Sequence, residues 1–232
     1  MKREHDKLYL NEDTSNIKDS FIAVANEIDC KFSGSIADVG CAVGAFPAYL
    51  KARFPEAKIT GIEYVDTLLN RAKENFSNID FLYGDLLNKD SVNEKFDLIT
   101  MLGVLCIFDN YEDAIANAIS WLNPKGKIII HNMINEHEID IFIKYSKSSD
   151  SYNVNELESG WNVISEKSLS LVCQKYSAKL VEIKPFKIGV DIKPNRDDVM
   201  RSWTELDRNG NRQIYNALHI RQPQKIAIIE KI

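Results

Sequence analysis

Short apolar runs of strand length alternate with stretches of helical spacing along the first three-fifths of the chain. Residues 11–29 place Ile17, Phe21, Ile22, Val24, Ala25 and Ile28 on or near one face and predict a helix before the first strand. There follow a strand over 35–40, a helix over 44–53, a strand over 57–63 and a helix over 66–76. Strands over 79–84 and 96–102, a helix over 111–122 and a strand over 127–132 continue the series. Such alternation predicts right-handed crossovers and an α/β fold: a doubly wound, mostly parallel sheet with helices on both faces and ligands at the carboxyl ends of its strands.

Beyond residue 133 the pattern loosens. Residues 134–164 are polar and mixed, with Glu136, His137, Tyr145, a Ser-rich stretch and Trp161, and with a helix predicted in the 138–146 region. A helix over 166–178, a strand from Lys179 and a terminal strand over 225–231 complete the expected order. Residues 193–222, between those last strands, hold Arg196, Arg201, Trp203, Arg208, Arg212, Tyr215, Asn216, His219 and Arg221. The expected organisation is one domain over 1–232: a helical segment 1–33, a ligand-binding core 34–133, and substrate-side insertions 134–164 and 193–222.

Composition narrows the class without naming it. At 232 residues, 44% hydrophobic and 27% charged, the chain suits a globular α/β domain with elaborations. No apolar run approaches the roughly 20 residues that span a bilayer, and the charged start Met-Lys-Arg-Glu-His-Asp-Lys does not lead into a signal core, so a cytoplasmic location is expected. A net charge of −5, with Lys and Arg spread along the chain, disfavours nucleic acid as a partner. Cys30, Cys41, Cys106 and Cys173 lack Cys-x-x-Cys spacing and read as reduced thiols, with no metal centre expected.

The candidate chemistry sits at the first two strands. Residues 35–44 read Ser-Ile-Ala-Asp-Val-Gly-Cys-Ala-Val-Gly, and Glu63 closes the second strand. A glycine turn after a first strand lets a ligand lie against bare backbone, and an acid about 20 residues on suits a ribose diol. A dinucleotide site wants glycine at the middle position so that backbone can close on a pyrophosphate. Here that position is Ala42, and Asp38, read as unpaired, repels a pyrophosphate and favours a cation. S-adenosylmethionine has a ribose, an adenine, an ammonium group and a sulfonium, and no phosphate. Asp85, closing the third strand in Gly84-Asp85-Leu86, is placed to accept from an adenine amino group, with Tyr64 and Leu86 flanking the adenosine.

In these residues the chain resembles the class I S-adenosylmethionine-dependent methyltransferases, over roughly 33–132. The resemblance is carried by Asp38-x-Gly40-x-Ala42-x-Gly44, Glu63, Gly84-Asp85, Phe96-Asp97 and Leu122-Asn123-Pro124-Lys125-Gly126-Lys127. It implies a Rossmann-like sheet of seven strands with the last antiparallel. It also implies cofactor contacts from Asp38, Gly40, Ala42, Gly44, Glu63, Tyr64, Asp85, Leu86 and the fourth-strand exit at Leu102. Two departures stand out. Ala42 replaces the commonest glycine and is acceptable only at negative φ, and Leu105-Cys106-Ile107 stands where many relatives carry histidine.

His131, at the end of the fifth strand, is the first candidate for a base or orienting residue, ahead of Glu136, His137 and His219, and Asn132 follows it. Trp203, Arg212, Tyr215 and His219 are candidate acceptor contacts, because arginines with aromatics clamp phosphate or carboxylate and stack on a sugar or base. The competing reading of that insertion is a solvated helix pair whose arginines meet Asp197, Asp198, Glu205 and Asp207. The expected reaction is methyl transfer to oxygen or nitrogen of a small polar metabolite, in the finer form a phosphorylated or nucleotide-activated sugar. A nicotinamide-dependent oxidoreductase, a non-catalytic S-adenosylmethionine-binding subunit acting through a partner, and methylation of RNA or protein are the alternatives.

Overall fold

The computed structural model of the protein describes residues 4–146, 153 and 157–232; the Ser-rich part of the 134–164 segment lies outside them. The predicted apolar runs become β1 (Ser35–Val39), β2 (Lys58–Glu63), β3 (Asp80–Tyr83), β4 (Phe96–Leu102) and β5 (Leu122–Asn135). Short strands β6 (Lys144–Tyr145), β7 (Glu158–Ser159) and β8 (Ile164–Ser165) follow. Then come β9 (Ala178–Pro185), a hairpin of β10 (Trp203–Leu206) and β11 (Arg212–Tyr215), and β12 (Gln224–Lys231). The helices are α1 (Asp19–Ala25), α2 (Ala45–Arg53), α3 (Asp66–Asn75), α4 (Tyr111–Ser120) and α5 (Glu166–Lys175).

The main sheet runs β3-β2-β1-β4-β5-β12-β9. Strands β1 to β5 are parallel, and β12 is antiparallel to both β5 and β9. The chain winds outward from β1 to β3 and then returns to the other side of β1 as β4, which opens a crevice at the carboxyl ends of β1 and β4. One strand more than the expected seven is present, because β5 runs on past the end of β4 and Ile134 and Asn135 pair in parallel with β8. Strand alternation divides the core. Ile128 and Ile130 face a cluster built with α4 and α5, whereas Ile129 faces Phe21, Phe46 and Leu50 of α1 and α2. No described helix is long and apolar enough to cross a membrane.

Strand β5 begins earlier than its predicted 127–132 because it contains a bulge. Phe96 pairs with Leu122 and Leu98 with Lys127, so residues 123–126 loop out, with Lys125 at φ 62°. Asp97 anchors that loop, accepting from Asn123 on one oxygen and from the Ser35 backbone and hydroxyl on the other, at 2.8 and 2.9 Å. The Ser35 N–H is the main reason its carboxyl is held below the usual range.

Two expected helices, and the competing helix-pair reading of the insertion, are corrected. Only Asp19–Ala25 of the 11–29 stretch is α-helical, preceded by a 3-10 segment at Glu4–Asn11. The Asp13 carboxylate accepts from the Ser15 N–H and hydroxyl, a local turn that competes with helix. No helix forms over 138–146. Ile141 bridges to Val163 and Lys144–Tyr145 pairs with β7, so the backbone is committed elsewhere, and the Asp140 side chain accepts from the Ser165 N–H at 2.6 Å. The 193–222 insertion is not a helix pair. Trp203-Thr-Glu-Leu pairs with Arg212-Gln-Ile-Tyr around a turn closed by Asp207, which accepts from the Asn209 and Asn211 N–H groups, with Gly210 at φ 79°.

Candidate cofactor and acceptor site

The turn after β1 is held tightly on both sides. Gly40 sits at φ 74° and donates to the Ile62 carbonyl at 2.8 Å, and a Cβ there would lie 2.6 Å from Val104 Cγ2. Gly44, at φ 89°, opens α2. Between them Ala42 adopts φ 49°, so the expectation of a negative φ is overturned. Its N–H is turned onto Glu63 Oε2 at 2.9 Å, a hydrogen bond that compensates the steric cost of a Cβ in the left-handed region. Glu63 Oε1 accepts from the Tyr64 and Val65 N–H groups at 2.9 and 2.8 Å. One buried carboxylate thus fastens the turn of β1 to the exit of β2.

Asp38 lies under that turn, buried, and is not unpaired as expected: the Thr100 hydroxyl of β4 donates to it at 2.8 Å. Burial pushes its carboxyl up to about 8, opposed by the Thr100 hydrogen bond and reinforced by the negative charge of Glu63. A buried acid of this kind is ready to be ionised by a cationic group brought beside it. The residues therefore fit S-adenosylmethionine: a ribose diol for Glu63, an ammonium for Asp38 and no phosphate to accommodate.

The adenine side is mixed. Tyr64 is exposed, its ring 5.9 Å from that of Tyr83, and both stand at the rim. Asp85 is half-buried, with Oδ1 accepting from the Leu87 N–H at 2.9 Å. Leu86 is instead a core residue packed with Val92 and Ile62, so its side chain supports the rim from beneath. Leu102 is half-buried at the end of β4, where the following Gly103 donates to the His131 carbonyl at 2.8 Å.

On the other side of β4, His131 is buried, and its Nε2 has no hydrogen-bond partner among the described residues. Its ring meets Phe186 edge-on at 4.5 Å, and burial lowers its pKa to about 4, so it is neutral at physiological pH. Asn132 points to the opposite face and accepts from the Cys106 N–H at 3.2 Å, tying the turn after β4 to β5. Glu136 and His137 are exposed neighbours 3.8 Å apart.

The insertion residues are largely engaged with one another. Arg212 donates to Asp191 at 2.8 Å and to the Thr204 hydroxyl, and Arg201 lies 3.7 Å from the buried Glu12. Trp203 donates to Glu205, faces His219 with ring centroids 6.3 Å apart, and pairs across the hairpin with Tyr215. The hairpin is brought to the site by a cluster of Cys106, Met133, Trp161, Val163 and Met200, which roofs the ends of β4 and β5. Sequence reasoning missed Thr100, Val104 and the junction at Asn162, whose side chain joins Ile143, Phe108 and Asp109. A Thr opposite an acid on neighbouring strands is a visible signal; Asn162 offers none.

Residues 36–126 match the family described as a methyltransferase domain. Trans-aconitate 2-methyltransferase of Escherichia coli K12 is 30% identical over 95 residues, 41% of this chain and 37% of that enzyme. A malonyl-[acyl-carrier protein] O-methyltransferase of Priestia megaterium is 24% identical over 158 residues, 67% of this chain and 57% of that one. The chain thus spans between about a third and three-fifths of the length of the curated relatives it matches. A Haloferax volcanii methyltransferase solved with a methyltransferase activator superposes on 100% of this chain, covering 98% of its own, with a TM-score of 0.64 at 12% identity. An amino pentose methyltransferase from Micromonospora echinaspora, solved with S-adenosylmethionine, covers 99% of this chain and 96% of its own, with a TM-score of 0.56 at 12% identity. At these identities the two structures speak for the fold.

Proposed function

We propose that this chain, which carries a class I S-adenosylmethionine-dependent methyltransferase domain, transfers a methyl group to oxygen or nitrogen of a small polar metabolite. The observation that carries the reading is the 40–44 turn wrapped onto Glu63 above the buried Asp38. When bound, S-adenosylmethionine supplies a methyl on a sulfonium: the acceptor lone pair forms the new bond, the C–S pair stays on sulfur, and the acceptor proton leaves. Glu63 holds the ribose hydroxyls, Asp38 the ammonium, and Asp85 with Tyr64 the adenine. His131, neutral and beside the end of β4, orients the acceptor and receives its proton when that acceptor is a hydroxyl. Bringing donor and acceptor together supplies much of the acceleration.

A phosphorylated or nucleotide-activated sugar, the finer expectation, draws less support. Arg212, the natural clamp, is held by Asp191, and Arg201 lies 3.7 Å from Glu12, which also pairs with Lys18. Calorimetric titration with S-adenosylmethionine, S-adenosylhomocysteine and NAD(H) tests the reading. Binding of the two sulfur nucleosides alone is expected, and binding of NAD(H) alone would overturn it. Methyl transfer by the purified protein alone then separates an enzyme from a subunit that needs a second chain.

A further inference from the structure

Three buried polar atoms without hydrogen-bond partners among the described residues lie on β5 and on the start of its neighbour β12 or just before it: His131 Nε2, Gln222 Nε2 and Gln224 Oε1. Register puts two of them on one face. His131 pairs with Ile226 and Met133 with Gln224, so all four side chains share the face that carries α1 and α2. Gln224 donates to Gln222 Oε1 at 3.2 Å, and the Ser202 hydroxyl donates to the same oxygen at 3.2 Å, which leaves one buried acceptor, Gln224 Oε1, and one buried donor, Gln222 Nε2, without a partner. The patch begins beside Leu102, the cross-strand partner of His131, one strand from the β1–β4 crevice. An unsatisfied buried polar group costs about 1–3 kcal/mol. Three in one patch are retained at a cost that packing alone does not explain.

We infer that His131, Gln222 and Gln224 form the acceptor subsite, and that it takes an uncharged molecule bearing hydroxyl or amide groups on an apolar body. The inference rests on the methyltransferase reading and deepens it. Hydroxyls and amides both donate and accept, which matches the mixed set left open here. The apolar wall is Met133, Trp161 and Met200, with Phe186 against the His131 ring. Nearby cations are committed elsewhere. Lys225 faces the opposite side and pairs with Glu166, Lys184 is held by Glu27 and Glu182, and Arg221 lines a cleft with Glu136 and His137 on the far face. A phosphate or carboxylate would find no compensating charge.

The test uses labelled S-adenosylmethionine with three pools of acceptors: neutral glycosides and nucleosides, their phosphate esters, and di- and tricarboxylic acids. Methylation in the neutral pool is expected. Gln222→Leu should raise KM for that acceptor at least tenfold and leave cofactor affinity within twofold, and His131→Leu should raise Tm as it removes an orphaned buried group. Methylation confined to the charged pools, or an acceptor KM unchanged in Gln222→Leu, would overturn the inference. If no pool reacts, the melting temperatures decide: a fall in both variants assigns these groups to the fold and overturns it. Failure of the wild-type protein to bind S-adenosylmethionine is a separate result, and it refutes the methyltransferase reading itself.

Discussion

The two halves of the sheet edge treat polar groups in opposite ways. At β1 and β2 the buried acids are hydrogen-bonded within the fold: Glu63 accepts three backbone N–H groups, and Asp38 accepts from Thr100. At β5 and the start of β12, His131, Gln222 and the half-buried Gln224 each keep a buried polar atom without a partner among the described residues. Satisfied groups fix a shape, and unsatisfied ones lower stability until a ligand completes them.

The largest expected effect comes from breaking the engaged half. In Gly40→Ala the new Cβ meets Val104 at 2.6 Å in a left-handed backbone, and S-adenosylmethionine binding should fall by at least about 100-fold by calorimetry while far-UV circular dichroism is retained. Glu63→Ala comes next. Losing a charge-assisted acceptor worth about 1.5–3 kcal/mol should weaken the cofactor by roughly 10- to 100-fold, and Tm should drop because the turn loses its fastening. Unchanged affinity would remove Glu63 from the ribose site.

His131→Ala should act on the other half, lowering turnover by about 100-fold with cofactor affinity unchanged. With the His131 pKa lowered to about 4, the turnover of the wild-type protein should not fall between pH 7 and pH 5 through this group. An inflection near 6.5 would place His131 in water.

A smaller effect separates the halves by pH. Asp38, raised from 3.8 to about 8, holds a proton in the folded protein that the unfolded chain has released. Its contribution to stability is complete below about pH 4 and is lost as pH rises through 8. His131, lowered from 6.5 to about 4, acts oppositely: its contribution is complete above 6.5 and is lost as pH falls towards 4. Between pH 6.5 and 8 only Asp38 of this pair changes, so Tm of the ligand-free protein should decline there, and Asp38→Asn should flatten the decline. If the cofactor ammonium needs ionised Asp38, affinity should rise over the same interval and lose that rise in the variant.

The smallest effect is a gain. Ala42→Gly relieves a Cβ at φ 49° and should stabilise the protein by up to about 1 kcal/mol, with cofactor affinity within twofold. A loss of stability would show that the N–H contact to Glu63 depends on the alanine.

Much of the core was legible because its signals are local. The apolar run 96–102 became β4 with the same bounds, and Asp38, Gly40, Gly44 and Glu63 arrived together at one edge because strand order forces strand ends to meet there. The helix predicted over 138–146 and the competing helix pair over 193–222 fail for related reasons. Their backbones are satisfied by distant partners such as Val163 and Ser159, or by a hairpin closed at Asp207-Arg-Asn-Gly-Asn.

The sequence by itself determined the α/β alternation, the glycine turn and its acid, and the class of cofactor they suit, since each depends on spacing within one or two elements. Only the tertiary structure decided that Asp38 is paired to Thr100, that Ala42 is left-handed, that Arg212 is already engaged by Asp191, and that His131 shares a face with Gln224. Those facts depend on which strand lies beside which, and on which polar atoms burial leaves without a partner. Residues from about twenty to more than ninety positions apart settle both, and no local pattern records them.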